Sequence, residues 1–147
     1  MLLVCSPGGH LAQLYRLQPW WSRYDRVWVT ADREDARSLL DGETVVPAHF
    51  PTTRNLLNLV RNFFLARRTL RRYRPDVVVS TGAGVAFPFF LLGRLFRART
   101  VYLEVYDRID SRTLTGRLCY PLSSLFLLQW EEQQRLYPRG FVVGTVL

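Results

Sequence analysis

Short apolar runs recur along this chain, each followed by a segment long enough to form a helix, and that alternation constrains the fold more than any other feature. The runs are Met1–Cys5, Arg26–Thr30, Glu43–Pro47, Asp76–Ser80, Thr100–Leu103 and Ser124–Leu128, with Phe141–Val143 as a candidate last member. Strands separated by crossover helices pair in parallel and are covered on both faces. The expected architecture is α/β: a Rossmann-like parallel sheet of about six or seven strands with helices on both faces. At 147 residues one hydrophobic core is ordinary, so residues 1–147 are expected to form a single domain. An apolar fraction of 48% with 14% aromatic residues excludes a disordered chain.

In such a sheet, ligands bind beyond the carboxyl ends of the strands, where loops converge. That rule points to Ser6–His10, Ala48–Thr53, Thr81–Val85 and Glu104–Gly116. Gly8 and Gly9 let the first loop turn tightly, and the helix that follows offers free N–H groups to an anion. The dinucleotide pattern of three spaced glycines is absent, which disfavours a nicotinamide cofactor, and no cofactor is expected. His10 sits at a helix N-terminus, whose dipole lowers an imidazole pKa and keeps the ring neutral near pH 7. Such a ring serves either as a base towards an attacking hydroxyl or as a positioning group, and the residues leave both open. Ser80, Thr81 and Gly82 open a second loop of the same kind on the same edge. Glu104 and Arg108 follow the fifth run. There the carboxylate can bind sugar hydroxyls, orient His10, or merely pair with Arg108.

The net charge of +8 is carried by arginine, with no lysine in the chain. A basic surface suits nucleic acid, anionic lipid or a phosphorylated substrate alike. No helix-turn-helix or zinc pattern occurs, and no aromatic platforms interleave with the arginines, so nucleic acid is not expected. Cys5 and Cys119 lie far apart without metal-ligand spacing; they read as core residues, and no metal site is expected. The N-terminus has no charged leader, and no run reaches the roughly 18 to 20 apolar residues that span a bilayer. The chain is expected to stay in the cytoplasm, with peripheral membrane contact.

Two segments bear on that contact. From Thr53 to Arg74 the pattern is helical, with Arg54, Arg61, Arg68 and Arg72 on one face and Leu56, Leu59, Val60, Phe63, Phe64 and Leu70 opposite. The apolar arc is expected on the sheet, while Arg67, Arg71 and Arg74 can meet headgroups. The segment from Val85 to about Phe96 is apolar nearly all round, and its burial on every side is difficult in so small a protein. Phe87, Phe89, Phe90, Leu91, Arg94, Phe96 and Arg97 are therefore expected at an anionic membrane surface, with core and subunit interface as the competing use.

Taken in order, Gly8-Gly9-His10-Leu11, Ser80-Thr81-Gly82, Pro88-Phe89, Tyr102-Leu103-Glu104, Arg108, Leu114-Thr115-Gly116, Tyr120-Pro121 and Gln129-Trp130 form a series that covers nearly the whole chain. The series resembles the PssD-type polysaccharide biosynthesis subunits. These are relatives of asparagine-linked glycosylation protein fourteen, the membrane-recruiting subunit of a two-part N-acetylglucosaminyltransferase. The resemblance implies the N-terminal, acceptor-side half of a GT-B glycosyltransferase similar to MurG. Pro7, Val105 and Ser124 depart from the residues usual in that family.

What the resemblance implies about partners is specific. A separate donor-binding subunit would hold the UDP-sugar, typically UDP-N-acetylglucosamine, and the acceptor would be a polyprenyl-diphosphate-linked sugar at the cytoplasmic face of a membrane. Carried over residue by residue, His10 and Glu104 are the expected catalytic pair, and Gly8, Gly9, Ser80, Thr81, Gly82 and Arg108 the expected substrate-binding set. The tail Val143, Gly144, Thr145, Val146 and Leu147 is expected to hold the partner, by backbone pairing among other means. Two other functions stay open on sequence: a non-catalytic membrane adaptor that recruits its partner, and a stand-alone nucleotide-binding protein.

Overall fold

The computed structural model describes residues 1–146. Seven strands form one wholly parallel sheet in the order β3-β2-β1-β4-β5-β6-β7: β1 (Leu2–Val4), β2 (Val27–Ala31), β3 (Val45–Ala48), β4 (Val77–Ser80), β5 (Arg99–Leu103), β6 (Leu125–Leu128) and β7 (Phe141–Val142). Every expected strand is present within two residues of its expected bounds. The helices are α1 (Gly9–Arg16), α2 (Gln18–Trp21), α3 (Glu34–Leu39), α4 (Leu56–Tyr73), α5 (Ala86–Leu95) and α6 (Leu114–Cys119). The single helix expected from His10 to Trp21 is two. Pro19 lacks an N–H and its ring clashes with the preceding turn, so the chain restarts as α2 around it.

Alternation along β1 sends side chains to two cores. Leu2 and Val4 join Val78, Phe89, Phe90 and Tyr102 on one face, and Leu3 and Cys5 join Leu11, Leu14, Trp21, Trp28 and Val79 on the other. Strand order reverses direction between β1 and β4, and at such a switch point the two following loops diverge to opposite faces and leave a crevice between them. Both cysteines are free and buried, as expected, and burial pushes the Cys5 thiol up to about 12.

The expectation that α5 meets lipid is corrected for its residues from Phe87 to Leu91. Phe89 and Phe90 are fully buried, and Phe87 and Leu91 half-buried. The helix is flanked by α4 and α6 and lies on β4 and β5, so its residues up to Gly93 are enclosed, while Leu95 is 74% exposed. Phe90 packs edge-on against Tyr102 with ring centroids 5.8 Å apart. Of the expected lipid-facing set, Arg94, Phe96 and Arg97 are exposed, at the C-terminal end of α5.

Helix α4 keeps its arginines outward and Leu70 inward as expected, but Leu56, Val60 and Phe64 of the expected inner arc do not face the sheet. Its buried face carries Asn58, Asn62 and Thr69 beside Leu65, Ala66 and Leu70, while Leu56, Leu57, Val60 and Phe64 are exposed. The reason is the backbone of the β3–α4 loop, whose polar groups need partners once covered. Asn62 accepts from the His49 N–H and donates to the His49 carbonyl, both at 2.9 Å, and Asn58 donates to the Pro51 carbonyl at 2.9 Å. Asn55 caps the helix by accepting from the Asn58 N–H. Among the described residues no helix is long and apolar enough to cross a membrane.

These two helices make opposite predictions for phenylalanine. Phe90→Ala should cost about 3–5 kcal/mol in urea denaturation, as expected for an enclosed ring. Phe64→Ala should change stability by less than about 0.5 kcal/mol. The reverse order would show that α5, not α4, faces outward.

Candidate active site

A cleft of about 800 Å3 lies beyond the carboxyl ends of β1, β4 and β5. Ser6, Pro7 and His10 reach it from the β1–α1 loop, Phe50–Arg54 from the β3–α4 loop, and Glu104 and Arg108 from the loop after β5. The sheet therefore gathers in space what the sequence scatters over more than half its length.

His10 is fixed by a reciprocal clamp across the switch point. Its Nδ1 lies 2.7 Å from the Thr81 carbonyl, and the Thr81 hydroxyl donates to the His10 carbonyl at 2.7 Å. A carbonyl oxygen can only accept, so Nδ1 carries the proton and, in the neutral ring, Nε2 is left with its lone pair. Burial lowers the His10 pKa, against the Thr81 carbonyl and the Asp107 charge, which raise it. The expected direction holds, with burial as its largest cause. Gly82 makes room for this ring: it has φ 113°, and a Cβ there would sit 2.8 Å from the Tyr102 hydroxyl and 3.1 Å from His10 Cε1.

Ser80, Thr81 and Gly82 are thus placed behind His10 rather than along the cleft. Both hydroxyl residues are fully buried, and Ser80 Oγ accepts from the Gly82 N–H at 3.0 Å. This corrects the expectation that they bind substrate: their polar groups are committed within the protein. Gly8, at φ 79°, and Gly9 are exposed at the start of α1, with nothing over the positions a side chain would fill.

Glu104 has no exposed surface yet borders the cleft. Its Oε1 accepts from the Val105 N–H at 3.1 Å, while Oε2 and the facing Tyr137 hydroxyl are buried without a well-aligned partner. Gly116 leaves space for them: a Cβ there would collide with the Tyr137 hydroxyl and lie 2.5 Å from Glu104 Oε2. Burial raises the Glu104 pKa, opposed by the Tyr137 hydroxyl, the Val105 N–H and Arg108. Glu104 makes no hydrogen bond to His10; the Thr81 carbonyl performs the orienting role that the sequence left open for it.

Several supporting residues were given no role from sequence, although Gln129 belongs to the motif series. Gln129 donates to the Glu104 carbonyl at 2.9 Å, and Gln133 donates to the carbonyls of Val105 and Arg108 at 2.8 and 3.1 Å. Together they hold the loop that carries Glu104. Arg33, Arg54 and Arg112 border the cleft with Arg108, and among its described lining residues Glu104 is the sole acid. Arg54, Arg108 and Arg112 form no ion pair among the described residues; Arg33 lies 3.6 Å from Asp35. The arrangement is an anion-attracting crevice with one oriented imidazole in its wall.

A parallel sheet of this order, with helices on both faces and its cleft at the switch point, is a Rossmann-like domain of the kind that forms the N-terminal half of GT-B glycosyltransferases. The chain belongs to the family described as "Oligosaccharide biosynthesis protein Alg14 like", which matches residues 36–146. The human protein named UDP-N-acetylglucosamine transferase subunit ALG14 is 26% identical over 178 residues, covering 100% of this chain and 82% of that one. The Candida albicans protein of the same name is 29% identical, covering 99% and 77%.

Among solved structures, MurG of Acinetobacter baumannii superposes with a TM-score of 0.71 at 16% identity, over 89% of this chain and 42% of that one. A UDP-N-acetylglucosamine 2-epimerase from Rickettsia bellii gives 0.74 at 12%, over 99% and 44%. MnaA of S. aureus, solved with UDP, gives 0.77 at 12%, also over 99% and 44%. The chain spans less than half of each of these solved proteins, and at such identities the likeness is one of fold.

The raised pKa of Glu104 predicts a pH-dependent gain on substitution. The folded state keeps this proton to higher pH than the unfolded chain, so the group's contribution is intact below its usual 4.5 and is lost as pH rises through the folded value. Glu104→Gln should therefore gain melting temperature over the wild type progressively as pH rises from below 4.5 to neutrality. A difference independent of pH would mean that the carboxyl is not buried as described.

Proposed function

We propose that this protein is the acceptor-binding subunit of a two-part inverting glycosyltransferase. In this reading it presents a polyprenyl-diphosphate-linked sugar to a partner subunit that holds a UDP-sugar, UDP-N-acetylglucosamine by analogy with the relatives' names. The observation that carries it is the clamped His10 in an arginine-bordered cleft at the switch point.

The chemistry follows from the residues. The His10 Nε2 lone pair takes the proton from an acceptor hydroxyl as that oxygen forms its bond to the donor's anomeric carbon. The bond from that carbon to the UDP oxygen breaks on the opposite face, so configuration inverts and UDP leaves with the partner. Arg54, Arg108 and Arg112 attract the acceptor's diphosphate, and the free N–H groups at the start of α1, beside Gly8 and Gly9, are available to the same charge. Glu104, kept protonated to higher pH than a solvated carboxyl and buried at the edge of the cleft, acts as a positioning residue that anchors the loop carrying Arg108.

Two surfaces support the assembly. The first is the outer face of α4, where exposed Leu56, Leu57, Val60 and Phe64 precede exposed Arg67, Arg68, Arg71 and Arg72. An apolar face followed by arginines suits peripheral contact with an anionic bilayer, and it takes the place of the α5 surface expected from sequence. The second is β7, an edge strand whose Phe141 is 62% exposed. Val143 continues its ladder to the Leu128 carbonyl, Gly144 and Thr145 are exposed, and the Val146 N–H donates to Gln129, leaving the outer edge for a partner's backbone. Leu147 lies outside the described residues.

The test is transfer by the assembled pair. His10→Ala should lower kcat by about a hundredfold or more with the complex intact. Full turnover by that variant would place the chemistry in the partner and leave this chain as a recruiting adaptor.

A further inference from the structure

An apolar groove of about 380 Å3 runs beside the polar cleft, between the start of α4 and α6. Leu56 and Leu59 line it from α4, Phe87 from α5, and Leu114 and Leu118 from α6. Thr52, Arg54, Gly84, Leu114 and Thr115 border both the groove and the cleft, so the two form one continuous depression that changes from polar to apolar along its length. Arg54, exposed and without an ion pair among the described residues, stands at the change.

Apolar side chains that line a groove gain free energy only when apolar matter fills it, and here three of them remain uncovered. Leu56 and Leu114 are 73% exposed and Leu118 40%. A flat bilayer would meet the outer stripe of α4, but a groove that leads out of an arginine-bordered cleft fits a ligand that is itself two-ended. The required ligand joins an anionic head to a thin, flexible apolar chain.

We infer that this groove is a subsite for the first isoprene units of a prenyl diphosphate, with the diphosphate over Arg54 at the junction. The inference rests on the proposed acceptor class and adds that the protein, not the bilayer, receives the start of the tail. Selection by tail then comes before the sugar is engaged. An acceptor with the right sugar and no tail fills the cleft but leaves the leucines in water.

The test uses the full chain in vesicle-free buffer, titrated calorimetrically with geranyl diphosphate and with inorganic diphosphate. Geranyl diphosphate should bind at least about tenfold more tightly. The double variant Leu56→Gln, Leu118→Gln alters two exposed residues that line the groove and not the cleft; it should lower the geranyl compound to the level of inorganic diphosphate while the thermal melt reports an intact fold. Phe64→Ser, on the α4 face outside the groove, should leave the preference unchanged.

Equal affinities in the wild type, no binding of either compound, a preference that survives the double variant, or one lost in Phe64→Ser would each overturn the subsite. These outcomes are separable from failure of the proposed function. A pair that transfers sugar without this preference loses the groove alone, and a chain with the preference whose pair does not transfer loses the transferase reading alone.

Discussion

The reciprocal hydrogen bonds between His10 and Thr81 tie together the two loops that flank the switch point, and the geometry of the cleft depends on them. Each loop follows a strand buried in the middle of the sheet, so its anchor is rigid, but nothing in the sheet itself fixes the relation between the loop tips. The clamp does so with one side chain from each partner and one carbonyl from each. It also chooses the imidazole tautomer, because the ring proton is held on the nitrogen that faces backbone. Gly82 is the steric condition for it, since any side chain there would contest the space of the ring.

A second constraint shapes the outside of the molecule. The loop from His49 to Pro51 brings backbone polar groups under α4, and Asn58 and Asn62 on the inner face answer them. Amide side chains occupying that face displace leucine and phenylalanine outward. The exposed apolar stripe near the cleft is therefore not a packing defect; it is the other side of satisfying a buried loop. The enclosed α5 shows the complementary case, where an all-round apolar sequence reflects neighbours on both flanks and a sheet beneath.

Much of this was legible in the residue order. Strand positions followed from short apolar runs because period and length there answer to local sterics and burial alone. That His10, Glu104 and Arg108 border one cleft could be read in advance because a parallel sheet confines ligands to one edge. What stayed hidden depended on tertiary partners. That Ser80 and Thr81 face inward is decided by where the Gly82 N–H and the His10 carbonyl lie, and the sequence carries no mark of it. The α4 polarity depends on an interaction with a loop that has no periodicity to read. Gln129 stood within a recognisable motif, whereas Gln133, which holds the same loop through two carbonyls, has only its spacing of four residues as a signal.

Nitrogen NMR of labelled histidine observes directly whether the protein holds His10 as a neutral ring protonated at Nδ1. Across a pH titration, the His10 signals should report the Nδ1–H tautomer, with protonation of Nε2 only below the usual imidazole value of 6.5. A neutral ring with its proton on Nε2, or one that titrates at or above that value, would mean that the Thr81 carbonyl does not hold His10 in this state.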